Sequence, residues 1–229
     1  MRIGVVRTRN SPCRCAEAIS EGLRALGHIP VVADSEEIVT GAANLARTCD
    51  LVIDHTDRFK ETGVLRFVVR SILETHGAFI IGSDSKACAL ADNKAAARKV
   101  LAAAGIPVPP AITVTEPIAA IPRWLPNPWV LKASWEHMSR NLTISSHEPE
   151  IVAHASRLLG ILHQPLLIET FITGREFAVS VIDGREGPDV LPVLEGSTQG
   201  TEPVLSEEFK LLYQPLARED LFPASLEPD

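Results

Sequence analysis

The first third of the chain alternates between short apolar runs and segments with apolar residues at helical spacing. The apolar runs at residues 2–6, 29–32, 51–53 and 78–81 predict buried strands. The segments between them repeat an apolar residue every three or four positions, which is typical of amphipathic helices. Strands that alternate with helices predict a parallel sheet with helices on both faces. We therefore expect an α/β N-terminal module over residues 1–85.

The remainder of the chain, residues 86–229, follows a different pattern. An alanine-rich segment over residues 93–104 predicts a helix with Asp92 as its N-cap. The proline-rich stretch that follows, as far as Pro128, predicts a connecting segment rather than a central strand. Beyond it, strand-like runs with turn signals such as Asp183-Gly184 indicate antiparallel pairing. We expect a second module of the α+β class here.

Charge and hydropathy exclude two classes of partner. The chain has 22 Lys and Arg against 29 Asp and Glu, a net charge of -7, so general nucleic-acid binding is not expected. No apolar run approaches the roughly 20 residues that span a bilayer, and the N-terminus is too weakly apolar for a signal peptide. We therefore expect no membrane partner and a cytoplasmic protein, in which the four cysteines are reduced thiols.

Two of the cysteines, Cys13 and Cys15, form a C-x-C pair. Such a pair suggests a metal or redox site, but no second Cys/His pair lies at zinc-finger spacing. The favoured interpretation is that both are small residues at the start of a helix. No metal ligand is assigned from the sequence.

Lys94 lies just inside the start of the alanine-rich helix, and Lys132 ends an apolar strand. A lysine at the end of a buried strand can neutralise phosphate oxygens. The alternative is that each side chain extends to solvent. Composition alone favours the solvent-exposed alternative.

Glu169 closes a predicted strand and Glu176 opens the next, with Phe171 and Ile172 between them. Free backbone groups in such a connecting segment can bind an adenine edge. The flanking carboxylates can accept hydrogen bonds from an exocyclic amine and from ribose hydroxyls. The alternative is a pair of ordinary strand-end glutamates on a solvated rim.

The order and spacing of three segments carry more information than any single residue. Residues 82–109, 129–134 and 168–179 together resemble the ATP-grasp superfamily, and within it most closely the D-alanine–D-alanine ligase family. The resemblance implies a pre-ATP-grasp α/β module followed by an ATP-grasp-like module. It also implies an ATP-dependent ligase, with ATP and Mg²⁺ as cofactors, that joins a carboxylate to an amine through an acyl phosphate. Its substrates would be amino acids or small peptides, in peptidoglycan-precursor or small-peptide synthesis.

The resemblance assigns a phosphate-binding role to three lysines, Lys94, Lys132 and Lys210. In the loop after the Lys132 strand, Ser134 and Ser139 remain as possible hydroxyl donors to the nucleotide. Phosphoryl transfer to a carboxylate depends mostly on positioning and charge neutralisation, which agrees with a set of lysines and magnesium.

On the base side of the nucleotide, the resemblance assigns Glu169 to the adenine amino group. Phe171 and Ile172 would form the backbone hinge beside adenine, and Glu176 would bind the ribose. His55 follows the third predicted strand, where the family has a loop that reaches the substrate. Because α/β sheets bind ligands at the carboxyl ends of their strands, His55 is the candidate catalytic residue. A surface histidine is the alternative.

Two loops depart from the family pattern. In the loop after the Lys132 strand, His137 and Asn141 replace glycines and Trp135 adds bulk, so this loop should cover ATP less tightly. In the first loop, the basic stretch Thr8–Arg14 stands where the family has a glutamate for the ammonium group of the first substrate. This departure argues against D-alanine as the first substrate.

The chain ends at Asp229, whereas the family continues into strands with the residues that bind magnesium. We therefore expect the C-terminal part of the ATP-grasp module to be missing. The alternative function is a shortened, catalytically inactive ATP-grasp protein that binds nucleotide or a partner chain. Such a partner would complete the sheet, because an unfinished sheet leaves an edge available for pairing. The family resemblance also implies a homodimer through the N-terminal module.

Overall fold

A computed structural model describes residues 1–11, 13–60, 62–184, 186–196 and 221–224. The chain divides into two compact units, Met1–Ile172 and Thr173–Asp229, and each is described by itself. The boundary predicted after residue 85 lies inside the first unit, where it separates two sheets. That boundary stays a prediction.

The first unit opens with a three-stranded parallel sheet. Its strands are β1 (Arg2–Arg7), β2 (Ile29–Asp34) and β3 (Leu51–His55), in the order β2-β1-β3. The predicted fourth strand contributes one parallel bridge, between Ile80 and Val52, at the edge of this sheet. The expected parallel sheet is therefore confirmed, with three strands instead of four.

Three amphipathic helices connect and cover these strands. They are α1 (Cys15–Ala25), α2 (Ile38–Thr48) and α3 (Arg66–Thr75). The apolar faces of α2 and α3 and the strands form one core, whose fully or nearly buried members are Val6, Ile38, Ala42, Leu45, Val52, Phe59, Val69 and Leu73. Helix α1 buries Ala16 and Ser20. Each large aliphatic side chain in this core stabilises the fold by about 1.5–3 kcal/mol relative to an exposed one.

Two consecutive helices follow, α4 (Ser85–Asp92) and α5 (Lys94–Ala103). The Asp84 carboxylate accepts a hydrogen bond from an amide of the first turn of α4, and the Asn93 side chain does the same for α5. The prediction of Asp92 as the N-cap is therefore wrong by one residue. Asp92 instead ends α4, where it is buried. Asp84 supplies the cap of α4, and Ser85 is its first residue.

A four-stranded antiparallel sheet completes the first unit. Its strands are β4 (Ala111–Val114), β5 (Trp129–Ala133), β6 (Thr143–Ser145) and β7 (Leu166–Thr170), in the order β4-β7-β5-β6. The prediction of a connecting segment rather than a central strand is confirmed for residues 115–128, whereas residues 111–114 form β4. The prolines flank β4 instead of interrupting it, and β4 lies at the edge of the sheet, where neighbouring prolines are tolerated.

Helix α6 (Glu148–Leu162) packs against one face of this sheet. Alternate residues of β5, namely Trp129, Leu131 and Ala133, face the helix and are buried with its residue Leu158. Because side chains alternate along a strand, Lys132 lies on the opposite face.

The second unit contains five described strands: β8 (Glu176–Ala178), β9 (Val181–Gly184), β10 (Gly187–Val190), β11 (Leu194–Gly196) and β12 (Leu221–Pro223). β9 and β10 form an antiparallel hairpin, in which the predicted turn residues Asp183 and Gly184 are instead the last two residues of β9. β11 pairs with both β8 and β12, also antiparallel. The strand predicted to open at Glu176 is short: it ends at Ala178 as β8, and β9 begins at Val181. Within the described part of the chain, no helix is both long and apolar enough to cross a membrane.

Candidate functional site

Lys132 of β5 and Glu169 of β7 form an ion pair across the antiparallel sheet. The register places Glu169 opposite Val130, two residues before Lys132, so both side chains lie on the same face. Their side chains are 26% and 12% exposed, respectively. The strand-end lysine predicted to face phosphate therefore has a carboxylate partner on the adjacent strand.

Lys94, the first residue of α5, is attached to the loop that follows β5. Its amide donates to the carbonyl oxygen of Ser134 at 3.1 Å. Its Nζ donates to the same carbonyl at 3.4 Å and to the carbonyl of Glu136. The solvent-exposed alternative for this lysine is therefore wrong, because its ammonium group binds the backbone of the loop.

The charge environment of Lys94 favours an anion. Burial lowers the pKa of its ammonium group, and the nearby positive charge of Lys132 lowers it further. Asp92, Glu136 and Glu169 act in the opposite direction, but more weakly. A group whose charged form is disfavoured by burial and by a like charge gains from a bound anion. The two lysines therefore form a candidate anion site.

The loop after β5, residues 134–142, is held by contacts to segments that flank both sheets of the first unit. The Trp135 amide donates to Gln164 Oε1 at 2.8 Å. The buried Glu136 carboxylate pairs with Arg58 Nη2 at 3.4 Å. The Trp135 ring lies on Phe67, with ring centroids 6.3 Å apart. These contacts fix the first half of the loop.

Gly63 approaches the same loop closely. A Cβ atom at Gly63 would lie 2.2 Å from the carbonyl oxygen of Trp135. The position therefore admits no side chain unless the loop moves. Gly63 was not singled out in the sequence, because the contact joins segments more than seventy residues apart.

The two predicted hydroxyl donors differ in their surroundings. Ser134 is fully buried, and its Oγ has no hydrogen-bond partner among the described residues. Ser139 has a positive φ of 59°, and its neighbours Met138 and Asn141 have φ of 57° and 56°. Three such residues without glycine are uncommon in one loop. The loop therefore keeps a left-handed backbone although its glycines are replaced.

A second cluster consists of Arg66, Asp92 and His137, of which His137 belongs to the loop after β5. Arg66 Nη1 pairs with Asp92 Oδ1 at 2.8 Å, and His137 Nε2 lies 3.7 Å from the same oxygen. Burial raises the pKa of Asp92. Burial also lowers the pKa of His137 to about 4, assisted by the positive charges of Arg66, Lys94 and Arg140. His137 is therefore neutral at pH 7.

The candidate adenine segment follows directly from β7. The amide of Phe171 donates to the carbonyl of Pro128 at 2.8 Å, so this donor is used within the protein. The Ile172 side chain is exposed. Glu176 begins β8 in the second unit and is exposed. Lys210 lies outside the described residues. The structure thus brings Lys94, Lys132, Ser134 and Glu169 together within the first unit.

His55 lies at the carboxyl end of β3, beside the two cysteines of the C-x-C pair. Its Nε2 is 3.5 Å from Cys13 Sγ, and the ligand atoms of Cys13, Cys15 and His55 all lie within 4.8 Å of one another. Burial raises the pKa of the Cys15 thiol to about 12, and its contact with Cys13 contributes to the shift. The spacing of cysteines and histidines along the sequence did not reveal this cluster, because His55 lies about 40 residues after the two cysteines.

Magnesium has no matching set of ligands in the part of the chain that the structure describes. The one group of three potential metal ligands found there consists of two thiols and an imidazole. Magnesium prefers oxygen ligands in octahedral geometry. The described residues therefore do not fit this ion.

Comparisons with known proteins agree with the resemblance inferred from the motifs. No protein-family model matches the chain. The D-alanine–D-alanine ligase of Desulforudis audaxviator is 34% identical over 131 residues, which cover 56% of this chain and 42% of that enzyme. The ligase of Thermotoga petrophila is 28% identical over 193 residues, which cover 84% of this chain and 61% of that enzyme. The chain therefore spans about two fifths to three fifths of these relatives.

Solved structures show the same fold. The D-alanine–D-alanine ligase of Bacillus anthracis, in complex with ATP, matches with a TM-score of 0.68 and 19% identity, over 97% of this chain and 79% of that one. An ADP complex of N5-carboxyaminoimidazole ribonucleotide synthetase matches with a TM-score of 0.61 and 18% identity, over 99% of this chain and 70% of that one. The predicted resemblance to ATP-grasp proteins, and to D-alanine–D-alanine ligases among them, is confirmed.

Proposed function

We propose that the chain binds ATP through Lys94 and Lys132 and acts in an ATP-dependent ligase that joins a carboxylate to an amine. The single observation that carries this proposal is the hydrogen bond of Lys94 Nζ, at the start of α5, to the carbonyl of Ser134, two residues after Lys132 on β5. Both lysines lie in a chain that resembles D-alanine–D-alanine ligases in sequence and fold. Phosphate oxygens would relieve the repulsion between these two cations.

The remaining nucleotide contacts are proposed from the same resemblance. Glu169 would accept a hydrogen bond from the adenine amino group, beside the backbone of Phe171 and Ile172. Lys132 would then exchange its carboxylate partner for a phosphate oxygen, which leaves Glu169 available to the base. Glu176 would accept from the ribose hydroxyls.

On the phosphate side, the proposal adds one lysine and two hydroxyl groups. Lys210 would be a third cation on the phosphates. Ser134 and Ser139 would donate hydroxyl hydrogen bonds to phosphate oxygens. The buried and unpartnered Oγ of Ser134 supports this role, because a hydroxyl without a partner gains a full hydrogen bond from a ligand.

The proposed reaction has two steps. A substrate carboxylate oxygen attacks the γ-phosphorus of ATP, the bond to the β,γ-bridging oxygen breaks, and an acyl phosphate and ADP result. The amine of a second substrate then attacks the acyl carbon, phosphate leaves, and the amine loses a proton as the peptide bond forms. The lysines would hold the phosphates and neutralise their charge during the first step. We derive no step through Mg²⁺, since no described residues fit it.

The substrates that we propose are amino acids or small peptides, handled in the cytoplasm during the synthesis of peptidoglycan precursors or other small peptides. His55 would contact a substrate from the carboxyl edge of the parallel sheet. Arg9 of the first loop is already paired with Asp34 and Glu37, and Arg7 at the end of β1 contacts Glu17 and Asp34. A homodimer through the N-terminal module is part of this proposal.

A second candidate function is nucleotide binding without ligation. The loop after β5 favours it, because Trp135 packs on Phe67 and the Nζ of Lys94 already binds two loop carbonyls. A loop held in this way would close over phosphates less readily than a glycine-rich one. A partner chain could also occupy the binding surface in this case.

The test is nucleotide binding and turnover by the full chain. We expect ATP and ADP to raise the melting temperature, and ATP with magnesium and a panel of amino acids to release phosphate. Binding without turnover would support the second candidate. If neither nucleotide changes the melting temperature at millimolar concentration, both candidates fail.

The variant Lys132→Ala tests whether Lys132 binds the phosphates of ATP. We expect at least a tenfold loss of ATP affinity, measured by isothermal titration. Lys86→Ala removes an exposed lysine from α4 and serves as the matched control. Equal affinities of the Lys132 variant and the unaltered chain would refute the assignment.

A further inference from the structure

We propose that Cys13, Cys15 and His55 form a binding site for one zinc ion at the carboxyl edge of the parallel sheet. The inference does not depend on the proposed function. It rests on the arrangement of three side chains that the sequence places up to 42 residues apart.

The separation of one ligand pair matches that of a zinc site, and the third ligand lies close by. Zinc is bound at about 2.3 Å by sulfur and about 2.0–2.1 Å by imidazole nitrogen, in tetrahedral geometry. Two such ligand atoms then lie about 3.5–3.8 Å apart. Cys13 Sγ and His55 Nε2 are 3.5 Å apart, and all three ligand atoms lie within 4.8 Å of one another.

The fold brings the ligands together through neighbouring parallel strands. β1 pairs with β3 so that Arg7 lies opposite His55, and the loops after both strands therefore leave the sheet at the same edge. Thr8 Oγ1 accepts hydrogen bonds from the amides of Asp57 and Arg58, each at 2.9 Å. The two loops that carry the ligands are thus tied to each other next to the cluster.

Hydrogen bonds around the cysteines support metal binding. The amide of Cys15, at the start of α1, donates to Cys13 Sγ at 3.5 Å. The amide of Cys13 donates to Ser11 Oγ at 3.2 Å, and Ser11 Oγ in turn donates to Asp57 at 3.4 Å. Backbone donors at a helix N-terminus stabilise a thiolate, and contacts beyond the ligands fix their orientation.

The chemistry of the ligand set selects the ion. Two thiolates and one imidazole suit zinc, whereas magnesium and calcium require oxygen ligands. Two thiolates would neutralise the charge of Zn²⁺. Cys13 is buried while Cys15 and His55 are partly exposed, so an ion can enter from the edge of the sheet, and water can fill the fourth position.

The experiment titrates the reduced, metal-free full chain with Co²⁺ and then with Zn²⁺. We expect one Co²⁺ per chain, with the near-ultraviolet charge-transfer band of cobalt–thiolate bonds and visible bands of a tetrahedral site. One equivalent of Zn²⁺ should remove both signals. No cobalt–thiolate band at micromolar chain concentration would overturn the proposal.

Variants distinguish zinc binding at the three proposed ligands from nonspecific zinc binding to other thiols of the chain. Cys13→Ser, Cys15→Ser and His55→Asn should each lower Zn²⁺ affinity at least tenfold. Cys49→Ser and Cys88→Ser, outside the cluster, should retain it. Equal affinities in all five variants would refute the site.

A second measurement covers the case in which a ligand variant fails to fold. In the unaltered chain, Zn²⁺ should slow the alkylation of Cys13 and Cys15 without slowing that of Cys88. Equal protection of all cysteines, or none, would overturn the proposal. ATP tests the lysines, whereas Co²⁺ and Zn²⁺ test the thiols. A chain that binds zinc but not ATP would therefore refute only the proposed function, and a chain that binds ATP but not zinc would refute only the zinc site.

Discussion

Lys132 and Glu169 form an ion pair on neighbouring antiparallel strands, on the sheet face opposite α6. The pair neutralises one of the two cations of the candidate phosphate site. A bound triphosphate must therefore compete with Glu169 for Lys132. This competition lowers the apparent affinity of the site for phosphate.

Replacing Glu169 by glutamine tests this competition. Glu169→Gln keeps the shape of the side chain but removes its charge. We expect tripolyphosphate to bind about three- to tenfold more tightly, because the two ammonium groups lose a competing anion. Isothermal titration measures the change, and Glu116→Gln, an exposed glutamate just beyond β4, is the control. Weaker tripolyphosphate binding by the Glu169 variant would contradict the prediction.

Lys94 should contribute to both nucleotide affinity and stability. Lys94→Ala removes the donor to the carbonyls of Ser134 and Glu136, at an expected cost of about 1–3 kcal/mol in the free energy of unfolding. ATP affinity should fall at least tenfold. Lys99→Ala, at an exposed position of the same helix, should change neither quantity. Urea unfolding and titration with ATP measure the two effects, and equal behaviour of the two variants would exclude this role.

Because His137 is neutral in the folded chain at pH 7, we expect the free energy of unfolding to depend on pH. Its pKa is about 4 in the folded chain and about 6.5 when unfolded, so the unfolded chain binds more protons between these values. The free energy of unfolding should therefore decrease as pH falls through this range, by roughly 3 kcal/mol in total. The raised pKa of Asp92 opposes this trend at its acidic end.

His137→Gln should remove most of this dependence, since glutamine does not titrate. Urea unfolding at several pH values between 7.5 and 4 gives the comparison. His76→Gln, at an exposed position after α3, should leave the slope as it is in the unaltered chain. An unchanged slope in the His137 variant would show that other groups cause the dependence.

Gly63 should not tolerate a methyl group. In Gly63→Ala the new Cβ would lie 2.2 Å from the Trp135 carbonyl oxygen, so the loop after β5 must move. We expect a loss of about 1–3 kcal/mol in the free energy of unfolding. Gly22→Ala, within α1 and with nothing within 4 Å of the added carbon, should instead gain about 0.5–1 kcal/mol. Thermal unfolding distinguishes the two variants, and a neutral Gly63→Ala would argue against this close contact.

Much of the fold was predictable because buried strands and amphipathic helices leave hydrophobic patterns within short segments of the sequence. The apolar runs at β1, β2 and β3 and the stripes of α1 to α3 identify the parallel sheet without further information. Beyond residue 85, local signals conflict. The proline-rich stretch as far as Pro128 suggested a connecting segment, although its first part forms β4 at a sheet edge.

The candidate site was predictable only in part. The motifs identified Lys94, Lys132 and Glu169, which the structure places together. The carboxylate partner of Lys132, the contact of Gly63 with Trp135 and the approach of His55 to Cys13 depend on strand register and on contacts distant in sequence. Parallel pairing of β1 with β3 was the one signal that could have joined His55 to the cysteines, because it places both loops at the same edge.

The double attachment of Lys94 has a dynamic consequence. Its amide and its ammonium group both hold the loop after β5, so that loop cannot be displaced without straining the first turn of α5. The amides of Ala96 and Ala97, which bond to Asn93 in that turn, are therefore expected to exchange with deuterium faster when the loop opens. A bound ligand that closes the loop would therefore be detected as slower exchange in the first turn of α5.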